Sequence, residues 1–284
     1  MFKKMSVLSM ALSALLVLSA CQPQQTNDQS ADSTTNQETP KQEAPKADEK
    51  LETYIALTDP TYPPFESKNE DGTIGGMEID IFNAIAKDQG FNVNYTAHAW
   101  EGIFESLSNP DVALIVSAVG ATPEAKAEAL LSTPYYFTPY RLLTMDKAKM
   151  TDWEKLPKIA VSEDEDGFED VPRFGVKTEQ LVTYPTVFLA VTALIRGEVD
   201  AVVADSTVLQ YNMNNELFAE HKEKFASKTL PATDGAKLVF AVDKTRPELL
   251  EKVNKGLANI KASGELEKIL RRYGQDPSLT TMPQ

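Results

Sequence analysis

The chain has 284 residues, 42% of them hydrophobic, which is enough to fill two cores of ordinary size. Its formal charge of −14 at pH 7 argues against nucleic acid and against electrostatic attachment to anionic lipid, and it favours solubility and a cationic ligand. A single cysteine, Cys21, leaves the rest of the chain without disulfides or thiolate metal sites, so packing must hold it together.

Residues 1–4 are a short basic segment, residues 5–17 an apolar run too short to span a bilayer, and Leu18-Ser19-Ala20-Cys21 closes the run with small side chains. Residues 1–20 therefore read as a secretory signal. A cysteine directly after Leu-Ser-Ala resembles a bacterial lipoprotein signal, which implies lipidation of the Cys21 thiol and a membrane anchor there; a cysteine placed by chance is the alternative. Residues 21–50 are Gln, Thr, Asn, Ser, Ala, Asp, Glu, Pro and Lys after that cysteine, with no aromatic or branched aliphatic residue to bury. They are predicted to form a disordered tether spanning roughly 30 Å.

Residues 53–57 read as a short strand that stops at Thr58-Asp59-Pro60. Next, Tyr62-Pro63-Pro64-Phe65-Glu66 holds two rings at a strand end, because the prolines restrict the backbone; Phe65 reads as core and Tyr62 as core or site. Asn69-Glu70-Asp71-Gly72 is a turn, and Gly75-Gly76-Met77-Glu78-Ile79-Asp80 leads into an amphipathic helix with Ile81, Phe82, Ile85 and Ala86 on its apolar side. The glycine pair is not a dinucleotide fingerprint, because the third glycine and the strand-to-helix order are missing. A second strand at 92–96 ends at His98-Ala99-Trp100-Glu101-Gly102-Ile103-Phe104, again placing a ring at a strand end.

The apolar run 113–119 is a buried strand that delivers Gly120-Ala121-Thr122-Pro123-Glu124 to a helix start. Thr122 suits the N-cap, Pro123 the first helical position and Glu124 the first turn. The carboxyl end of a buried strand opens onto a crevice, and the first helical N–H groups beyond it lack partners, so small ligands favour such junctions. An ordinary capped connection is the bland alternative.

Several of these stretches carry a resemblance. Tyr62-Pro63-Pro64-Phe65-Glu66, Gly75-Gly76-Met77-Glu78-x-Asp80, Trp100-Glu101-Gly102-Ile103 and Ser117-Ala118-Val119-x-x-Thr122-Pro123-Glu124 resemble the family 3, polar amino acid type, solute-binding proteins of ABC transporters. The similarity continues through Leu131-Ser132-Thr133-Pro134-Tyr135-Tyr136, the stretch 193–206 ending in Ala204-Asp205-Ser206, Glu248-Leu249-Leu250, and Gly264-Glu265-Leu266 through Arg272-Tyr273-Gly274. It covers 53–274 apart from a weak patch at 162–184.

The resemblance implies an α/β, two-lobed periplasmic-binding-protein-like fold of type II, its lobes joined by two hinge strands. Lobe 1 is expected at 51–142 plus 239–284 and lobe 2 at 143–238, with the crossovers in the apolar segments 140–145 and 238–242. It also implies a small amino-acid-like or amine ligand, an ABC permease as partner, a lipid membrane reached through Cys21, a location in the periplasm or on the outer cell face, and no cofactor.

In this family aromatic rings sandwich the ligand, an aspartate of lobe 2 takes the α-ammonium and an arginine takes the α-carboxylate. By resemblance Tyr62 and Trp100 become the sandwich, Asp205 the ammonium acceptor, and Ser117, Gly120 and Thr122 further site residues. Asp205 also sits where a helix N-cap is expected, and the two roles are compatible. The arginine is missing: the family reads Thr-Pro-Glu-Arg and this chain Thr122-Pro123-Glu124-Ala125, with Gly120 where a polar residue is common. Lys126 lies about 100° further round the helix and does not replace it. Free N–H groups near 122–125 offer a weaker anion site.

Lobe 2 departs the same way. After Lys158-Ile159-Ala160-Val161 the family has a Gly-Ser or Gly-Thr loop, whereas this chain has Ser162-Glu163-Asp164-Glu165-Asp166-Gly167. Such a charge run reads first as a solvated turn, yet two anion-gripping features are gone together. The ligand is therefore expected to be an amine-bearing or cationic molecule, or an amino-acid derivative, with Arg173 a surrogate clamp that the sequence does not place. Two other functions stay open. A dehydratase acting on small cyclic acids would use Glu66, Glu78 or His98, although no catalytic or metal constellation is recognisable; a ligand-presenting partner of a membrane sensor would use the same cleft.

Overall fold

A computed structural model describes residues 51–163 and 166–280. The expected signal, Cys21 and the tether lie outside the described residues, as do Asp164 and Glu165.

Strand β1 (Thr53–Thr58) leads into three short antiparallel strands, β2 (Thr61–Tyr62), β3 (Glu66–Lys68) and β4 (Ile74–Gly75), then helix α1 (Met77–Gln89) and strand β5 (Asn92–Ala97). After β6 (Val112–Gly120) come α2 (Pro123–Glu128), β7 (Leu130–Leu131) and β8 (Tyr136–Phe137). The chain then builds β9 (Tyr140–Thr144), β10 (Ile159–Ser162), α3 (Gly167–Asp170) and β11 (Leu181–Tyr184). Next are α4 (Val187–Ile195), β12 (Ala201–Asp205), α5 (Ser206–Met213) and β13 (Ala226–Thr229). It returns through β14 (Lys237–Val242) to α6 (Pro247–Ala262) and α7 (Glu265–Arg272).

These strands make two large mixed sheets and one small antiparallel sheet, β2-β3-β4. The first runs β5-β1-β6-β14-β7, with β8 also on β14; the second runs β11-β10-β12-β9-β13. In each, three parallel strands stand with the first in the middle, and an antiparallel strand follows: β14 beside β6, β9 beside β12. Strands β6 and β12 are the continuous apolar runs, as strands covered on both faces must be. Helix α1 buries Ile81, Phe82, Ile85 and Ala86, the side its periodicity marks, against the first sheet and α6.

The chain changes sheet at two places that lie side by side. Thr138 and Pro139 join β8 to β9, and residues 230–236 join β13 to β14. The Thr138 amide donates to the Ala236 carbonyl and the Leu230 amide to the Tyr140 carbonyl, both at 2.8 Å, which ties the crossings together. This differs from the boundaries expected inside 140–145 and 238–242. Strand β9 pairs along its length with β12 and β13, and β14 pairs with β6, so each belongs to one sheet. An apolar pattern marks both as buried strands but carries no sign of which sheet receives them. The first change falls at Pro139, which has no N–H to offer a ladder.

Candidate functional site

The carboxyl ends of β1, β5 and β6 face those of β10 and β12 across a pocket of about 60 Å³ lined by Asp59, Tyr62, Glu66, Trp100, Ser117, Ala118, Gly120, Thr138, Tyr140, Asp166, Asp170 and Asp205, with 235, 236 and 238 from the return crossing. Such strand ends are where ligands of α/β sheets sit. Five of the expected residues meet here: Tyr62, Trp100, Ser117, Gly120 and Asp205. Thr122 lies apart, on a larger adjoining chamber.

Glu66, on the pocket wall, stands beside a second buried carboxyl group, Glu78. Glu66 is brought to Glu78 because the start of α1 presses against the Tyr-Pro-Pro-Phe turn: the Met77 amide donates to the Pro64 carbonyl at 2.8 Å and the Glu78 amide to the Phe65 carbonyl at 3.0 Å. Gly76 permits this approach, since a Cβ there, at φ 142°, would lie 2.1 Å from the Phe65 carbonyl oxygen. Glu78 accepts from the Ala118 amide and the Tyr135 hydroxyl, each at 2.7 Å. Glu66 receives only the Ser117 hydroxyl, at 3.1 Å, and its second oxygen has no donor. Burial, then the neighbouring Glu78 charge, push the Glu66 pKa well up. Ser117 is fully engaged, since its Oγ also accepts from the Asp59 amide at 2.9 Å. Ala118 stands at φ 45°, a strained angle for a residue with a Cβ, and holds its N–H on Glu78.

The rings come next. Tyr62 is buried and stacked on Phe65 at 5.8 Å, and Phe65 is core, with no exposed surface. The Trp100 amide donates to Asp59 Oδ2 at 2.7 Å, which fixes the loop after β5 to the end of β1. Its indole Nε1–H crosses the cleft to Asp166 Oδ1 at 2.9 Å. Asp166 is thus not part of a solvated turn, the reading its charge run invites; Glu163, on the same run, is exposed. Loss of water, only partly offset by that indole bond, raises the Asp166 pKa.

Asp205 ends β12 and caps α5: its Oδ1 accepts from the Thr207 amide at 2.7 Å, the Val208 amide at 3.2 Å and the Thr138 hydroxyl at 2.5 Å. It also lines the pocket, so capping and ligand contact are compatible on one carboxyl group. Burial outweighs these donors and pushes its pKa up to about 7. Asp170, on α3, accepts from the Tyr140 hydroxyl at 3.3 Å and pairs with Arg173 at 3.0 Å. Arg173 therefore reaches the cleft with its charge already matched, and it lines the outer chamber, not the inner pocket.

At the start of α2 the sequence reading holds locally. Thr122 is the N-cap, and its Oγ1 accepts from the Ala125 amide at 3.1 Å. The exposed Glu124 carboxylate stands at this helix start, where its own backbone N–H and the Thr122 hydroxyl hold its pKa down. Ala125 is buried among Ile103, Val119 and Ala121, and Lys126 points to solvent. Gly120 has a steric reason of its own: a Cβ there would stand 2.8 Å from the Gly235 carbonyl oxygen on the return crossing.

Sequence reasoning overlooked Asp59, Thr138, Tyr140 and Asp170, and it took Glu66 only as a possible catalytic acid. Asp59 had a usable signal, a carboxylate just past the end of an apolar strand. The other three depend on the crossing at 138–139 and on α3, where no motif stands.

The family described as bacterial extracellular solute-binding proteins, family 3, matches residues 54–276. Over 225 residues the chain is 27% identical to a probable histidine-binding protein of Neisseria gonorrhoeae, covering 78% of this chain and 82% of that one. Over 210 residues it is 29% identical to ABC transporter arginine-binding protein 1 of Escherichia coli strain K12, covering 74% and 85%. An ancestral amino acid-binding protein, a precursor of cyclohexadienyl dehydratase, superposes with a TM-score of 0.65 at 27% identity, covering 78% of this chain and 94% of its own.

Proposed function

The chain belongs to the bacterial extracellular solute-binding proteins of family 3, and from that premise we propose that it captures a small amine-bearing cation between its two large sheets and hands it to an ABC permease. One observation carries the reading. Among the described residues, the acidic side chains lining the inner pocket are Asp59, Glu66, Asp166, Asp170 and Asp205, with no Lys, Arg or His beside them. A carboxylate ligand would meet like charge there, while an ammonium would meet acceptors out of water, where such bonds are strongest. The relatives named for histidine and arginine support a cationic ligand. Ala125, where the family pattern has arginine, supports one whose carboxylate is absent or masked.

Tyr62 and Trp100 flank the ligand and Asp205 takes its ammonium group in this reading. An open form samples closure, the cation binds the closed form better, and the Trp100–Asp166 bond is made only when the cleft is shut. Acylation at Cys21 would hold the protein at the membrane, in the periplasm or on the outer cell face. The role is binding and not turnover: of the groups a dehydratase would use, only Glu66 lines the pocket. Glu78 is committed to Ala118 and Tyr135, and the His98 ring is bonded to the Ala99 carbonyl and the Ser106 hydroxyl.

Calorimetry with the twenty amino acids and their decarboxylated amines tests the proposal. Each amine is expected to bind more tightly than its parent amino acid. Tighter binding of a plain neutral or acidic amino acid would overturn it.

A further inference from the structure

The inner pocket, at about 60 Å³, is the smaller of two adjoining spaces. Trp100, Gly120, Asp166 and Asp170 also line a second chamber of about 490 Å³, so the two spaces adjoin. The larger one lies between the 100–105 loop, α2 and α3, with Gly120 and Ala125 among its lining residues. Its wall is apolar on one side, with Trp100, Ile103, Phe104, Val119 and Ala125. Its rim carries Glu101, Glu105, Glu124, Glu128 and Glu169 against one cation, Arg173, which is already paired with Asp170.

We infer that the ligand is a linear molecule with a positive charge at each end: one ammonium in the inner pocket, a methylene stem past the Trp100 ring, and a second cationic group in the outer chamber. This rests on the cationic-ligand reading of the same cleft and adds length and a second charge. Continuity argues the first point, because the inner pocket and the outer chamber share Trp100, Gly120, Asp166 and Asp170 as walls, so a long ligand can run from one into the other. The chamber's surface argues the second: its apolar side suits a hydrocarbon stem, and its rim rejects a carboxylate and accepts a cation.

The test is calorimetric titration with α,ω-diaminoalkanes of three to eight carbons, each beside the monoamine of equal length. Above a threshold length the diamine is expected to bind at least about tenfold more tightly than its monoamine, the equivalent of one charge-assisted hydrogen bond. In a variant carrying Glu101→Gln, Glu105→Gln, Glu124→Gln and Glu128→Gln, all at exposed positions, that ratio is expected to fall to about one. Monoamine binding with no diamine gain at any length, or a gain that survives the fourfold variant, overturns this inference and leaves the cationic-ligand reading standing. No binding by either series overturns both.

Discussion

Each half of the molecule carries a buried strand that ends in a capped helix at the cleft, and the two junctions do opposite things. At the end of β6 the cap is Thr122, whose neutral oxygen takes the Ala125 amide, and behind it stand a glycine and an alanine. At the end of β12 the cap is Asp205, a carboxyl group that takes two amides and the Thr138 hydroxyl while lining the inner pocket. The same backbone geometry thus serves as a structural joint on one side and as a polar contact on the other. What differs is the side chain: a hydroxyl is neutral and offers two acceptor sites, whereas an ionised carboxyl group carries charge and offers about four. By the family likeness the anion grip belongs to the first junction and the cation grip to the second, and the proposed function uses only the second.

The largest effect is expected from breaking the second junction. Asp205→Asn keeps an N-cap oxygen but removes the charge, and amine affinity is expected to fall about a hundredfold, the worth of roughly 3 kcal/mol for a buried charge-assisted bond. Thermal melting should show Asp205→Asn folded, whereas Asp205→Ala adds a cap loss of about 1 kcal/mol. An unchanged dissociation constant in Asp205→Asn would mean that the carboxyl group serves α5 alone.

A pH series sharpens the same contrast. With the Asp205 pKa pushed up to about 7 by burial, the group is largely protonated in mild acid. A cation binds the ionised form better, so affinity should rise with pH, by about tenfold between pH 6 and 7.5, and then level off. Stability moves the other way. An aspartate whose folded pKa lies above its unfolded value favours the folded state while protonated, so its contribution is full below the unfolded pKa and is lost as pH rises through about 7. The ligand-free melting temperature should therefore fall over that window relative to Asp205→Asn, which has nothing to titrate there. Matching slopes in the two proteins would place the titration elsewhere.

How much of this contrast could be read from the residues depends on how local each feature is. Both caps were legible, because an N-cap is a matter of one side chain and the next three amides. The apolar strands β6 and β12 were legible for the same kind of reason, a run of like residues with turn chemistry at its end. Gly120 had a further reason that no local pattern contains, the backbone of Gly235 far along the chain. Asp166 was hidden inside a charge run, and only the approach of Trp100 from the other sheet takes it out of solvent. The Glu66–Glu78 pair was visible as two acids and a glycine pair, but the contact between them needs the turn that Gly76 allows.

The smallest effect is expected at the first junction, and it separates a joint from a grip. Thr122→Ala removes the hydroxyl that takes the Ala125 amide, which should cost about 1 kcal/mol and lower the melting temperature by about 3 °C. Since Thr122 lines the outer chamber and not the inner pocket, monoamine affinity should change by less than about twofold, the ordinary range for a substitution away from the contact. A tenfold loss in binding with an unchanged melting temperature would reverse the assignment, because the hydroxyl would then be spent on the ligand and not on the helix. The two readouts move in opposite senses for the two roles, so this mild substitution can still decide which kind of junction β6 supplies.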